Sequence, residues 1–334
     1  MNTPGMDMAP EWLPAILAWP AILALTLMFG SAMVCLVLRR SAASGAVSSD
    51  TLARALTGWW RILALIAAIF SSLMFVDQVA EMAGVSWHAA IPLIGEVLAQ
   101  TQSGHVWEWR LPVTLALLIA AWMPMRDSVR MLVLWILCEA LFLAGSLMSH
   151  AIDFGITAIV LRFVHTLAAG TWAGGLFAYW VGARPSGSES HLSIEAGRVL
   201  SKLAAWSVII LIASGVYLAY EGLDGSLYHL RYSSYGRVLS IKVAIFALVL
   251  AIGAYNRFSL IPTIDQPSAR RTLLRTVAAE SLMLVGVIGL AALLAATPPA
   301  RMAMGMSEMQ KLSRNPKLLI SVKPLKGFKL PTVN

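Results

Sequence analysis

Of the 334 residues, 58% are hydrophobic and only 13% are charged, against about 45–50% and about 25% in ordinary soluble domains. That balance excludes a water-soluble domain. The formal charge of +8 is then the signature of arginine-rich loops that orient membrane spans, so no nucleic-acid partner is expected.

A helix needs about 20 apolar residues to cross the hydrocarbon core. Runs of that kind recur at roughly 13–38, 62–83, 108–124, 129–149, 157–182, 201–221, 237–261 and 277–297. The reading is an all-α integral membrane protein, a bundle of about eight transmembrane helices in contact with the lipid bilayer. Residues 1–297 form one bundle and 298–334 a basic, methionine-containing tail. The first residues, MNTPGMDMAPEW, lack a basic stretch, so no cleaved signal peptide is expected. Cys35 and Cys138 both fall in apolar runs and read as small buried hydrophobes rather than a disulfide.

Taken in order, the second span carries Met74, Asp77 and Glu81 at i, i+3 and i+7, which is one helix face. This face is either a cation entry vestibule or a solvated helix end paired with Arg110 or Arg231. An outer loop, 84–107, follows with His88 and His105 and an amphipathic stretch near 90–100, read as a short interfacial helix. The third span is short and interrupted by Pro112 and Pro124. The fourth carries Glu139, the deepest carboxylate in the chain. His150 follows eleven residues later, about three helical turns on, so the two would share a face. They are two rungs of a cation or proton path, or Glu139 is a neutral acid bonded to a neighbouring helix.

The fifth span reads LRFVHTLAAGTWAGGLFAYW from Leu161. His150 and His165 flank a short outer turn on adjacent helices and form a candidate metal pair, since imidazole suits copper, zinc, iron and nickel. The competing reading is that each hydrogen-bonds a backbone carbonyl or a carboxylate. Trp172 shares the face of His165 and fills space or shields it. Gly170, Gly174 and Gly175 read as close-packing positions, and Arg162 as a partner for Asp153 or another outer carboxylate. In the seventh span Lys242 either repels cations, anchors a carboxylate or snorkels outward.

Methionine tilts the metal toward copper, because thioether sulfur selects Cu(I). Sixteen are present. Met148 lies two residues before His150, and Met302, Met304, Met306 and Met309 follow the last span in MAMGMSEM. Cu(I) is favoured; a site of histidine and carboxylate alone also accepts Cu(II). Orientation follows the arginines: Arg39, Arg40, Arg54, Arg61, Arg126, Arg130, Arg257 and Arg270 lie on one set of loops. Those loops should be cytoplasmic, with both termini periplasmic.

Three segments resemble the CopD family of bacterial copper-resistance membrane proteins. They are SHAIDFGITAIVLRFVHTLAAGTWAGGL from Ser149, SYGRVLSIKVAIFALVLAIGAYNRFSLIP from Ser234 and RTVAAESLMLVGVIGLAALLAATPPA from Arg275. The resemblance covers a core of about 129–300. It implies an inner-membrane protein that is not an enzyme, moves copper from periplasm to cytoplasm and works with a periplasmic copper-binding protein. His150 and His165 match the family's histidines. Lys242 and Glu280 match its polar positions, and Ser149 stands where the family often has glycine. Two other readings compete: a histidine-ligated haem redox protein of the HemJ type, and a copper-binding scaffold or sensor that transports nothing.

Overall fold

A computed structural model describes residues 12–40, 49–183, 185–186, 189–190, 194–264 and 266–300. Eight long helices carry the fold: α1 (Trp12–Arg40), α2 (Ser49–Ala83), α5 (Gln102–Trp122), α6 (Asp127–Leu147), α7 (Ile156–Gly182), α8 (Ile194–Gly222), α10 (Ser234–Tyr255) and α11 (Pro267–Ala295). Short helices α3 (Trp87–Ala90) and α4 (Ile94–Gln100) fill the connector after α2, and α9 (Leu227–Tyr232) the connector after α8. Pro185–Ser186 and Glu189–Ser190 make a two-residue antiparallel ladder after α7. Seven of the long helices are both long and apolar enough to cross a membrane; α5 has the length. The all-α membrane bundle expected from composition is the fold observed.

Short connectors make successive long helices alternate in direction. One end of the bundle therefore carries the connectors 84–101, 148–155 and 223–233, and is called the loop face. The other carries the ends of α1, α5, α7 and α10 and the starts of α2, α6, α8 and α11, and is called the basic face after Arg39, Arg126 and Arg257. Trp12 and Ala295 both lie at the loop face.

Helices outrun the expected spans mainly at the basic face. α2 begins at Ser49 rather than near 62, and α11 at Pro267 rather than 277. Polar turns remain helical beyond the hydrocarbon because intrahelical bonds satisfy their backbone in water as well as in lipid. α5 also runs past Pro112. Proline removes one backbone donor there, and the Thr114 hydroxyl donates to the Arg110 carbonyl at 2.8 Å in the same turn.

The core lies around α1, which is enclosed by α2, α6, α7 and α11. Buried Leu52, Leu56, Trp60, Leu117, Met131 and Leu134 pack with Met28, Phe29 and Val34 of α1. Cys35 and Cys138 are free and buried in this core, as expected.

The outer loop is more broken than a single interfacial helix. It winds as α3, a 3-10 turn at Ile91–Leu93, and α4. Its second histidine, His105, already belongs to α5, whose start is capped by the Thr101 side chain accepting from the Gly104 N–H at 2.8 Å.

The two faces of helix α7 and the candidate metal path

α7 owes its position to glycine. Gly170 and Gly174 face Gly30 of α1 so closely that a Cβ at Gly30 would run into the Gly170 carbonyl. A Cβ at Gly174 would sit 2.6 Å from the Gly30 Cα and 2.7 Å from the Thr26 carbonyl oxygen. These contacts are backbone against backbone. Gly175 is different, because a Cβ there would meet Val34 and Leu200 side chains at an ordinary 3.7 and 3.9 Å. The packing role expected of the glycines is thus carried by Gly170 and Gly174.

The other face of α7 is polar at two depths. His165 lies nine residues beyond Ile156, about 14 Å from the loop-face end at 1.5 Å per residue. Its Nδ1 is 2.9 Å from the Ser214 hydroxyl of α8. That hydroxyl donates to the Ile210 carbonyl at 2.6 Å. In the neutral ring Nδ1 is therefore the donor, and Nε2 keeps the lone pair a metal needs. The ring seats over Gly215, where a Cβ would come within 3.3 Å of Cε1. Two cations bear on it, Lys242 of α10 and Arg162 one turn back on α7. Lys242 is eight residues into α10, about 12 Å from the loop face and so level with His165. Tyr235 is the group that bears on Arg162 together with these. The carboxylate partner expected for Arg162 is not among the groups described around it.

Two turns further along, Trp172 donates from Nε1 to Glu280 Oε1 of α11 at 3.1 Å. Asn256 donates from Nδ2 to Glu280 Oε2 at 2.9 Å. The Thr276 hydroxyl donates in turn to Asn256 Oδ1. Glu280 is only 2% exposed. Asn256 opens a single π-helical turn, Asn256–Leu260, that ends α10. Beside this cluster lies a cleft of about 400 Å³, lined by Gly197, Ser201, Asn256, Arg257 and Glu280 among mostly apolar side chains. It exists because α8 packs on α7 and α10 on α11 rather than on each other. Arg257 donates to the Ser201 carbonyl at 2.7 Å and to its hydroxyl at 2.9 Å. Trp172, read from sequence as filler or shield, is thus also a hydrogen-bond donor to Glu280, the carboxylate of this cluster.

Asn256→Ala leaves Glu280 Oε2 without its donor, and an unmet buried acceptor costs about 1–3 kcal/mol. Thermal unfolding of the detergent-solubilised variant should fall accordingly, whereas Thr263→Ala, at an exposed hydroxyl, should leave it unchanged.

The remaining predicted residues scatter. His150 does not continue α6, which ends at Leu147; it opens a 3-10 turn, His150–Phe154, whose N-cap Ser149 accepts from the Ala151 N–H at 3.3 Å. The helical-face argument joining His150 to Glu139 therefore fails. Ser149 has φ −92°, a conformation open to any residue, so the family's glycine is not needed there. Gly155, at φ +90°, is the residue of this turn that requires glycine. Glu139 is half-buried in mid-α6.

Met148 is engaged differently from a free ligand. Buried Arg110 donates from Nη1 to its sulfur at 3.4 Å and stacks 4.4 Å over the Trp107 ring. Met74 packs in the same cluster, with Phe75, Val79 and Trp107. Asp77 accepts from Trp87 Nε1 at 2.9 Å rather than pairing with Arg110 or Arg231. His88 is exposed on α3. His105 Nδ1 lies 3.6 Å from Glu108 Oε2, both exposed. Met302, Met304 and Met306 lie outside the described residues. Among the described residues no three histidine, cysteine, aspartate or glutamate side chains gather as a metal cage.

Ser214, Asn256 and Thr276 were missed in the sequence. A hydroxyl or amide in an apolar run is common, and its partner is a residue tens of positions away. His229, which was also passed over, is structural: buried, it donates from Nδ1 to the Leu223 carbonyl at 2.8 Å.

Two family models match the chain. Copper resistance protein D matches residues 194–294, and Copper resistance protein D-like, N-terminal domain, matches residues 8–156. Inner membrane protein YebZ of Escherichia coli (strain K12) is 28% identical over 215 residues, covering 61% of this chain and 72% of that protein. Copper resistance protein D of Pseudomonas syringae pv. tomato is 29% identical over 255 residues, covering 71% of this chain and 82% of that protein. No solved structure matches the chain significantly.

Proposed function

Since the chain belongs to the copper resistance protein D family and is a multi-pass inner-membrane protein, we propose that it carries copper across the inner membrane, from periplasm to cytoplasm. The loop face is then periplasmic and the basic face cytoplasmic, as the arginine bias favours. Copper enters at His150 in the connector, with Asp77, Glu81, His88, His105 and the tail methionines as collecting groups, and passes to His165. A periplasmic copper-binding protein supplies it.

The observation that carries this reading is the chain His165 Nδ1–H to Ser214 hydroxyl to Ile210 carbonyl. It fixes the ring and leaves Nε2 as a ligand, since a hydrogen bond from the other ring nitrogen sets the tautomer and orientation of a metal-binding histidine. Cu(I) fits best, delivered to few protein ligands. Met148 contributes only after its sulfur leaves Arg110. Arg162 and Lys242 weaken a cation at His165. A carrier needs that, because a site must be left as readily as it is entered.

The test is metal analysis and copper uptake into proteoliposomes, comparing the native chain with His150→Ala plus His165→Ala. The double variant should lose stoichiometric copper and at least 90% of uptake (about a tenfold loss, the scale of one good ligand interaction). Unchanged copper and uptake would refute the site. A Soret band in the native protein would instead favour haem; the cleft beside Glu280 has no histidine in its lining.

A further inference from the structure

We propose that Glu280 is a proton-exchange site, an acid held inside the membrane that gains and loses a proton through the cleft beside it. The proposal does not rest on the copper site.

Glu280 is a carboxyl only 2% exposed, in a membrane-spanning helix. An ionised group in such a place is costly unless a cation or metal partners it. Among the described residues the surrounding elements bring none. α7 presents the neutral indole of Trp172, and the π-turn presents the Asn256 amide. α10 presents Gly253, where a Cβ would stand 3.2 Å from Oε1. α11 itself adds Thr276, through Asn256. α1, which also packs on α11, carries no Asp, Glu, His or Lys between Trp12 and Arg40. Arg257 and Tyr179 are the titratable groups sharing the cleft, and Arg257 is occupied by Ser201.

The environment nevertheless serves both protonation states. Two N–H donors reach the two oxygens, which suits the anion. The Asn256 side chain can turn its carbonyl oxygen toward an acid proton, because its present acceptor role is to the rotatable Thr276 hydroxyl. A π-helical turn, a feature frequent at functional sites, places Asn256 there. The cleft supplies access. About 400 Å³ exceeds the roughly 30 Å³ share of a liquid water many times over, and Ser201, Arg257 and Asn256 line the same cleft as Glu280 and offer water polar partners. The exchange is balanced simply: one proton leaves the carboxyl for solvent and one returns, with no redox change.

Infrared difference spectroscopy of the full chain in liposomes, without copper, tests this. The native protein should show a carboxylic-acid C=O band that responds to pH, exchanges in D2O, and disappears in Glu280→Gln while persisting in Glu139→Gln. Trp172→Phe, which keeps a ring but removes the donor, should shift the frequency of the band. Absence of the band, its persistence in Glu280→Gln, insensitivity to pH and D2O, or an unmoved frequency in Trp172→Phe would overturn the proposal. If Glu280→Gln fails to fold, the pH and D2O response of the native band and its shift in Trp172→Phe still decide.

Discussion

Gly30→Ala is expected to prevent stable assembly of the bundle. The added methyl would enter the Gly170 carbonyl and approach the Gly174 Cα at 2.7 Å. Neither is a side chain that can rotate away. α1 and α7 must separate, and α1 is the helix on which α2, α6 and α11 also pack. Overpacking in a dense interior usually costs about 1–3 kcal/mol; a backbone clash at the central helix belongs at or beyond the upper end, where a protein of ordinary marginal stability loses much of its margin. The native chain and Gly30→Ala should be compared by yield of monodisperse protein and by thermal unfolding in detergent. Gly175→Ala is the internal control, since ordinary van der Waals space surrounds that position. Equal stability of Gly30→Ala and the native chain would show that the close contact does not hold α7 in place.

Lys242→Gln should tighten copper binding and slow its passage. The ammonium acts on His165 across the gap between α10 and α7. A like charge bearing on a cation bound in a partly desolvated site weakens it by on the order of 1.4 kcal/mol, or about tenfold in affinity. Replacing one cation by a neutral amide, which adds no soft sulfur ligand, deletes the repulsion. Competition with a copper chelator should report an affinity about tenfold higher, and proteoliposome uptake should fall because release becomes slow. Arg162→Gln should act in the same sense. An unchanged affinity in both variants would separate these cations from the copper site, and a weaker affinity would make them supports of the histidine instead.

How much was legible beforehand varies by residue. His165 stood out because an imidazole in an apolar run is rare, and the structure gives it a fixed orientation through Ser214. Trp172 and Glu280 were each visible, but 108 residues separate them, and nothing in either local pattern says that they touch. His150 shows how spacing misleads: eleven residues from Glu139 is three turns only while one helix continues, and α6 stops at Leu147. Arg162 read as half of an ion pair because charges in membranes usually are; its surroundings turned out to be His165, Lys242 and Tyr235.

Composition and apolar run length by themselves determined that this is a multi-span helical membrane protein, because every spanning backbone must satisfy its own hydrogen bonds and hydrocarbon thickness sets the length needed. The ordered motifs determined its copper-resistance family. Tertiary structure alone decided which face of α7 packs on α1 and which looks onto polar neighbours. That choice rests on interhelical close contact, and it is made by Gly30, a residue more than a hundred positions away from the helix it admits.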